Sequence, residues 1–123
     1  MVIRERAAGV EDPLIQQTLL GEAVDAGPAA IFVLGEDRRY VAVNQTACDL
    51  LGYSRRELLE LGPADVAPAE RLDERFAELN RSRALVGTAD LQARDGSMVR
   101  VSYRISETVV ARMRFWISVA FPE

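Results

Sequence analysis

The sequence predicts an α+β domain, with a five-stranded antiparallel sheet, short helices over one face and a flanking helix at its N-terminus. Five stretches have the apolar or alternating pattern of strands, and helical spacing occurs before the first and between the second and third. The 123 residues suit one domain, and with 49% of them hydrophobic a core can form without disulfides or metal. We therefore expect a tail and flanking helix at residues 1–26 and the folded domain at residues 27–123.

The composition argues against several classes of function. A net charge of −4 argues against a phosphate-binding surface and so against a nucleic-acid partner. With no histidine and one cysteine, the chain lacks the commonest acid–base chemistry, an internal disulfide and a cysteine-based metal site. No apolar run approaches the roughly 20 residues of a membrane span, and the N-terminus lacks a signal peptide's apolar core. We expect a cytoplasmic, non-enzymatic protein without membrane insertion, although it could be a piece of a larger receptor.

The first predicted element is a helix over residues 13–26. Asp12 is placed to cap it, Pro13 suits its first position, and Gly27-Pro28 ends it. It carries apolar side chains that must be buried against some surface, namely Ile15, Leu19, Leu20, Ala23 and Val24. The helix is therefore expected to pack on the domain's own sheet, or to dimerise or transmit a signal, and these interpretations are compatible.

A hairpin comes next, with an apolar strand at residues 30–34, a turn at residues 35–38 and a returning strand at residues 39–43. Asn44 then opens a helix with a buried stripe, formed by Ala47, Leu50 and Leu51. Gly52 follows this stripe at the position where a helix ends in a left-handed residue.

A second short helix begins at Ser54, because Glu57 three residues later completes the spacing of a capping box. Gly62-Pro63 is expected to stop this helix. Its inward-facing residues are predicted to be Leu58, Leu59 and Leu61.

A third helix can be capped by Asp65 or Ala67, and its apolar face carries Leu72, Phe76 and Leu79. The charged residues of this segment are interpreted as a solvated face, namely Glu70, Arg71, Asp73, Glu74, Arg75 and Glu78.

Three strands close the chain, at residues 88–94, 98–106 and 114–121, with Asp95-Gly96 as a hairpin turn and a connection of uncertain length at residues 107–113. The middle strand of the three alternates between apolar and polar residues, which indicates one covered face. The last strand is apolar on both faces, so we predict that it is central and covered twice. The short helices would cover one face, and the N-terminal helix or a second subunit would cover the other.

The segment at residues 40–61 resembles the PAS family, in which a strand leads through Asn to a helix ending in Gly-Tyr-Ser and then to a Glu-Leu-Leu helix. The matching residues are Asn44, Ala47, Leu51, Gly52, Tyr53, Ser54, Glu57 and Leu58. The resemblance extends more weakly through Asp95-Gly96 and covers roughly residues 27–121. It implies the strand order 2-1-5-4-3, a sensory role and an attached output domain. PAS domains often carry Asp at the position of Gly35 and Gly at that of Arg38, so this chain departs from the family at the first turn.

The resemblance also raises the question of a cofactor. Haem in this family usually binds a histidine, and the chain has none. The light-sensing flavin branch carries a reactive cysteine after the Glu-Leu-Leu helix, where this chain has Pro63. Cys48 lies in the earlier helix and is interpreted as a small packing residue. We predict no cofactor and no metal, with a flavin held without a covalent adduct as an open alternative, and the thiol-linked coumarate type fits poorly.

An apolar cavity between the sheet and the helices is the remaining candidate site. The strand residues expected to line it are Phe32, Leu34, Ala42, Val101, Tyr103, Trp116, Ser118 and Ala120. The helix residues expected to line it are Leu51, Leu58, Leu61, Val66, Leu72 and Phe76.

Two interpretations of these residues compete. They are simply the core, or the small side chains of Ala42, Ser118 and Ala120 leave room for a ligand. We predict that the cavity binds a small hydrophobic molecule, with a fatty acid as one candidate and Tyr103, Trp116 and Ser118 as its polar anchors. We also expect a homodimer through the N-terminal helix and the exposed sheet face. The alternative function is a ligand-free interaction module that works by this dimerisation.

Overall fold

A computed structural model describes residues 9–123, which form five helices and one five-stranded antiparallel sheet. In chain order the elements are α1 Pro13–Asp25, β1 Ala30–Leu34, β2 Tyr40–Val43, α2 Gln45–Leu51, α3 Arg55–Leu58, α4 Pro63–Val66, α5 Leu72–Ser82, β3 Ala84–Gln92, β4 Met98–Val110 and β5 Met113–Pro122. The strand order is β2-β1-β5-β4-β3, which confirms the order that the resemblance implied. The first eight residues of the predicted tail lie outside the described part of the chain.

Helix α1 begins as predicted, because the Asp12 carboxylate accepts a hydrogen bond from the Leu14 N–H at 2.8 Å. No side chain of this helix is buried, and its large apolar residues are exposed, namely Leu14, Ile15, Leu19, Leu20 and Val24. The expectation that α1 packs on the domain's own sheet is therefore wrong for the described residues. In this part of the chain, no helix is both long enough and apolar enough to cross a membrane.

The first hairpin forms at the predicted place, with an irregularity that changes which side chains face the helices. Phe32 pairs with Val43 and Leu34 pairs with Tyr40, so one residue of β1 lies opposite two residues of β2. This bulge turns Tyr40 under the helices, whereas Ala42 is exposed on the other face. Arg38, at the turn position where PAS domains often carry Gly, has a φ of 62° and so adopts the left-handed conformation.

Helices α2 and α3 begin at their predicted capping residues, and α2 also ends as predicted. The Asn44 side chain accepts from Ala47 N–H, and Gly52 ends α2 with a φ of 76°. Ser54 and Glu57 form the reciprocal hydrogen bonds of a capping box. Helix α3 has only four residues, so Leu59 falls beyond it and is exposed, which corrects the prediction that this side chain faces inward.

The third predicted helix begins later than predicted, and a short additional helix, α4, precedes it. Gly62-Pro63 does not stop α3, which has already ended at Leu58; it begins α4, with Pro63 in the first turn. The Asp65 carboxylate accepts from the Gly62 N–H at 3.0 Å, so Asp65 supports the start of α4 and does not cap the longer helix. Helix α5 begins at Leu72 without a side-chain cap.

The last three strands are longer than predicted. Strand β3 begins at Ala84, and β4 continues to Val110, where a two-residue turn leads into β5. Both turn residues, Ala111 and Arg112, have positive φ values of 52° and 64°, which matches the twist of a tight hairpin. The uncertain connection at residues 107–113 is therefore mostly strand.

Strand β5 lies at the centre of the sheet, between β1 and β4, as predicted. Its Trp116 and Ala120 are buried under the helices. On the opposite face Phe115, Ile117 and Val119 are only half-buried, and no described helix covers them. Within residues 9–123 neither α1 nor another helix gives β5 its second cover, so the outer face of the sheet is an apolar surface there. Its cover by a second subunit stays a prediction.

Candidate functional site

A cavity of about 90 Å³ lies between the sheet and the segment that contains α4 and α5. Helix α5 forms its roof, because Phe76 lies edge-on to Trp116 of β5, with ring planes at 89° and centroids 6.4 Å apart. The floor is the helix-facing side of the sheet, which carries small residues on β3, at Ala89, and on the central strand β5, at Ser118 and Ala120. Small side chains below a row of large ones leave this space.

Most of the sequence-predicted site residues lie around the cavity. Those that line it are Phe32, Leu34, Leu72, Phe76, Val101, Tyr103, Trp116, Ser118 and Ala120. They come from β1, α5, β4 and β5, which the alternation of the strands and the spacing of α5 had placed on one side of the sheet. Whether any of them binds a ligand stays a prediction.

The other predicted residues lie elsewhere in the fold. Leu51, Leu58 and Val66 are fully buried but do not line the cavity. Leu51 belongs to α2, which packs on β1, and Leu58 belongs to α3, which packs on β2, whereas α5 packs on β3 and β4. Leu61 is partly buried against the same core. Ala42 does not face the cavity, because it alternates with the buried Val43 and pairs with Val33 on the outer face of the sheet.

Several lining residues were missed by the sequence analysis, namely Tyr40, Pro63, Ala67, Glu70, Arg75, Leu79, Leu85, Ala89, Leu91 and Ile105. A signal existed for Leu79, which shares the apolar face of α5 with Leu72 and Phe76. Strand alternation gave a signal for Ala89, Leu91 and Ile105. Tyr40 depends on the bulge, and sequence periodicity does not predict a bulge.

The charged residues of the lining, Glu70 and Arg75, form a network with Tyr103. The Arg75 guanidinium donates to the Tyr103 hydroxyl, to the Glu70 carboxylate at 2.6 Å and to the Thr88 carbonyl at 3.3 Å. The second carboxylate oxygen of Glu70 accepts from the Asp90 N–H at 3.1 Å. The interpretation of Glu70 and Arg75 as members of a solvated face is therefore wrong, since both line the cavity.

Three further polar side chains face the cavity, those of Tyr40, Trp116 and Ser118. None forms a hydrogen bond with another described residue. Within residues 9–123 no fully enclosed side-chain nitrogen or oxygen lacks a partner, so these polar atoms border space that a water molecule can reach. Burial, with a smaller contribution from the Asp65 carboxylate, raises the pKa of the Tyr40 phenol well above its usual value. The Tyr40 hydroxyl therefore stays protonated and can donate a hydrogen bond.

Cys48 is separate from this site. It lies on α2 with 3% of its surface exposed, and burial raises the pKa of its thiol. A buried protonated thiol is a poor nucleophile. Pro63 lines the cavity, and it occupies the position at which the flavin branch of the PAS family carries its reactive cysteine.

Comparisons with known proteins agree with this architecture. A family model described as the PAS fold matches residues 24–122, and no curated protein matches the chain significantly. A PAS domain from a two-component sensor histidine kinase superposes with a TM-score of 0.81 at 17% identity, covering 89% of this chain and 98% of that one. The PAS domain of an HTR-like protein from Haloarcula marismortui superposes with a TM-score of 0.80 at 18% identity, covering 89% of this chain and 93% of that one. An RNA-binding Light-Oxygen-Voltage receptor superposes with a TM-score of 0.75 at 19% identity, covering 98% of this chain and 37% of that one.

Proposed function

The chain belongs to the PAS family, and on that premise we propose that it is a sensory domain that binds a small hydrophobic molecule in the cavity under α5 and relays binding to an attached output domain. The observation that carries the proposal is the cavity itself, which has walls of apolar side chains and a few polar groups. Sites for small molecules have this composition, since apolar area supplies affinity and the polar groups fix orientation. The proposal assigns the domain a binding role rather than a catalytic one.

The size of the cavity limits the ligand. At about 90 Å³ it is small beside the roughly 300–1,000 Å³ of typical ligand pockets. A fatty acid is one candidate, and a short chain fits this space better than a long one. A longer chain would need α5 to move away from the sheet.

Relay of binding requires that the ligand favour one of two conformations of the domain, since a ligand with equal affinity for both shifts neither. The cavity supports such a relay because its roof and floor belong to different elements. Phe76 and Leu79 come from α5, while Trp116 and Ser118 come from the central strand β5. A ligand that separates α5 from β5 would therefore change the packing of both.

The proposal is tested by identifying what the domain carries. Protein purified from cells would be denatured and extracted, and the extract examined by mass spectrometry. We expect a small apolar molecule from the wild-type chain and its loss from Ser118→Ile, because the added side chain fills the cavity. The matched control is Ser102→Ile, which makes the same change on the opposite face of the sheet.

A titration tests the cavity even if the natural ligand is lost during purification. Wild type and both variants would be titrated with 1-hexanol, and binding would be followed by amide chemical shifts. Binding to wild type and to Ser102→Ile, but not to Ser118→Ile, supports the cavity as the site. Equal binding to both variants, or no binding to wild type, would contradict the proposal.

A second candidate is a homodimerisation module, which the uncovered apolar surfaces favour. The apolar side chains of α1 have exposed fractions between 43% and 68%. The outer face of the sheet adds Phe115, Ile117, Val119 and Phe121. Burying such surfaces against a second copy would stabilise the dimer by removing apolar area from water.

The dimer candidate predicts that Leu19→Glu on α1 weakens self-association at least about tenfold, because it places a charge in an apolar contact. Sedimentation velocity over a range of concentrations would measure this. Leu59→Glu is the control, since Leu59 is also an exposed leucine but lies at the end of α3, in neither α1 nor the sheet. A wild-type chain that stays monomeric at all concentrations would remove this candidate.

A further inference from the structure

One ion pair interrupts the otherwise uncharged lining of the cavity. Its members, Arg75 and Glu70, have side-chain exposures of 32% and 16%, so neither is fully solvated. A cation held partly out of water must be balanced by a negative group close by, and here the Glu70 carboxylate at 2.6 Å provides it. The cavity therefore contains one place where a carboxylate is stabilised.

The surroundings of Arg75 would allow a ligand carboxylate to take the place of the Glu70 carboxylate. The guanidinium lies near the Tyr103 ring, 5.5 Å from its centroid, and donates to the Tyr103 hydroxyl oxygen. The Tyr103 O–H is thus left free to donate in turn. Of the five N–H groups of Arg75, three are engaged by Tyr103, Glu70 and the Thr88 carbonyl, so two are not used by described residues.

Glu70 is positioned so that it can leave Arg75 without disrupting a helix. It precedes α5, in the connection that follows α4. Its other carboxylate oxygen accepts from the backbone of Asp90 on β3. A rotation of this side chain toward solvent would vacate Arg75 and release the Asp90 N–H together.

We propose that Arg75 and Tyr103 bind the carboxylate of a small apolar monocarboxylic acid, and that Glu70 occupies this position when no ligand is bound. The inference rests on the proposed function and names its ligand class. The apolar tail enters the cavity beside Phe76 and Trp116, and the acid group replaces the carboxylate of Glu70. Because Glu70 also holds the Asp90 N–H, its displacement links binding to the position of β3.

The test compares hexanoate with 1-hexanol, which share the apolar tail and differ in the head group. Dissociation constants would be measured by amide chemical shifts for wild type, Arg75→Gln and Glu70→Gln. We expect Arg75→Gln to weaken hexanoate binding at least about tenfold and to leave 1-hexanol binding nearly unchanged. We expect Glu70→Gln to strengthen hexanoate binding, because it removes the competing charge.

Arg38→Gln is the matched control. Arg38 stacks on the Phe76 ring at 4.1 Å but does not line the cavity, so its loss should change neither affinity. Glu70→Gln keeps the test decisive if Arg75→Gln folds poorly, since misfolding cannot strengthen binding. Wild type that binds 1-hexanol but not hexanoate, or an Arg75→Gln variant that weakens both equally, would overturn this inference and leave the proposed function standing. Binding of neither compound would overturn both.

Discussion

Replacing Asn44 with alanine is expected to lower the free energy of unfolding by about 3 kcal/mol. Only 5% of the Asn44 surface is exposed, and its side chain makes four hydrogen bonds. The amide oxygen accepts from Ile31 N–H at 2.9 Å and from Ala47 N–H at 3.0 Å. The amide nitrogen donates to the Val24 and Ala29 carbonyls, both at 2.8 Å.

The large effect follows from what these bonds connect. Asn44 caps α2, holds the first strand and fixes the end of α1, so alanine would remove a helix cap and leave buried backbone groups without partners. Urea unfolding followed by circular dichroism would measure the loss. Asn80→Ala is the control, because Asn80 is exposed within α5 and alanine favours a helix by roughly half a kcal/mol.

Asn44→Asp separates the two halves of the network. The carboxylate keeps both accepting interactions but faces the Val24 and Ala29 carbonyls without a proton to donate. We expect this variant to be destabilised and to loosen α1 in particular, which hydrogen exchange of its amides would detect. If Asn44→Ala unfolded at the same urea concentration as wild type, the four bonds would contribute nothing net to stability.

The parts of the fold that could be predicted from sequence are those whose causes are local. Asn44, Gly52 and Ser54 act on backbone groups within a few residues, so their caps could be identified without knowing what packs on them. The alternation of β4 was equally informative, because Val101 and Tyr103 face the helices whatever their partners are.

The features that were missed depend on distant parts of the chain. Tyr40 was missed because the bulge belongs to the pairing of two strands and not to either strand alone, and the face of Ala42 was likewise fixed only by its pairing with Val33. The turn at Ala111 and Arg112 lacks the Gly or Asn that usually indicates positive φ, so its sequence carries no signal. The need to bury the leucines of α1 was recognised, but sequence cannot say which surface would cover them.

The charged part of the candidate site was missed for the same reason. Glu70 and Arg75 are five residues apart and lie in a segment rich in charges of both signs, which is typical of a solvated surface. Their burial depends on Tyr103 and on the β3 backbone, which approach only after the sheet has formed. The apolar lining residues could therefore be predicted from the spacing of apolar residues along strands and helices. The position of the ion pair could be identified only from the tertiary structure.

Replacing Gly62 with alanine is expected to lower the free energy of unfolding by about 3 kcal/mol, through a steric clash. The φ of Gly62 is −149°, an extended conformation open to any residue, so backbone strain is not the cause. A Cβ at this position would lie 2.2 Å from the Arg38 carbonyl oxygen. That oxygen belongs to the backbone of the first hairpin and cannot rotate away as a side chain would.

The clash would separate two segments that hydrogen bonds hold together. Tyr40 N–H donates to the Leu61 carbonyl at 2.9 Å, and the Arg39 side chain donates to the Glu60 carbonyl at 3.1 Å. Moving the hairpin away would lengthen both bonds and displace Tyr40 and Pro63, which line the cavity. We therefore expect Gly62→Ala to lose 1-hexanol binding as well as stability.

Gly21→Ala is the matched control, because it makes the same change where no atom beyond the local helix backbone lies within 4 Å of the new Cβ. Gly21 lies inside α1, where alanine should favour the helix by roughly 0.5–1 kcal/mol. The two glycine variants should thus move the urea midpoint in opposite directions. If Gly62→Ala were as stable as wild type, the first hairpin and the start of α4 would lie farther apart in solution than 2.2 Å between the new Cβ and the Arg38 carbonyl oxygen implies. Tyr40 and Pro63 would then not form a wall of the cavity together.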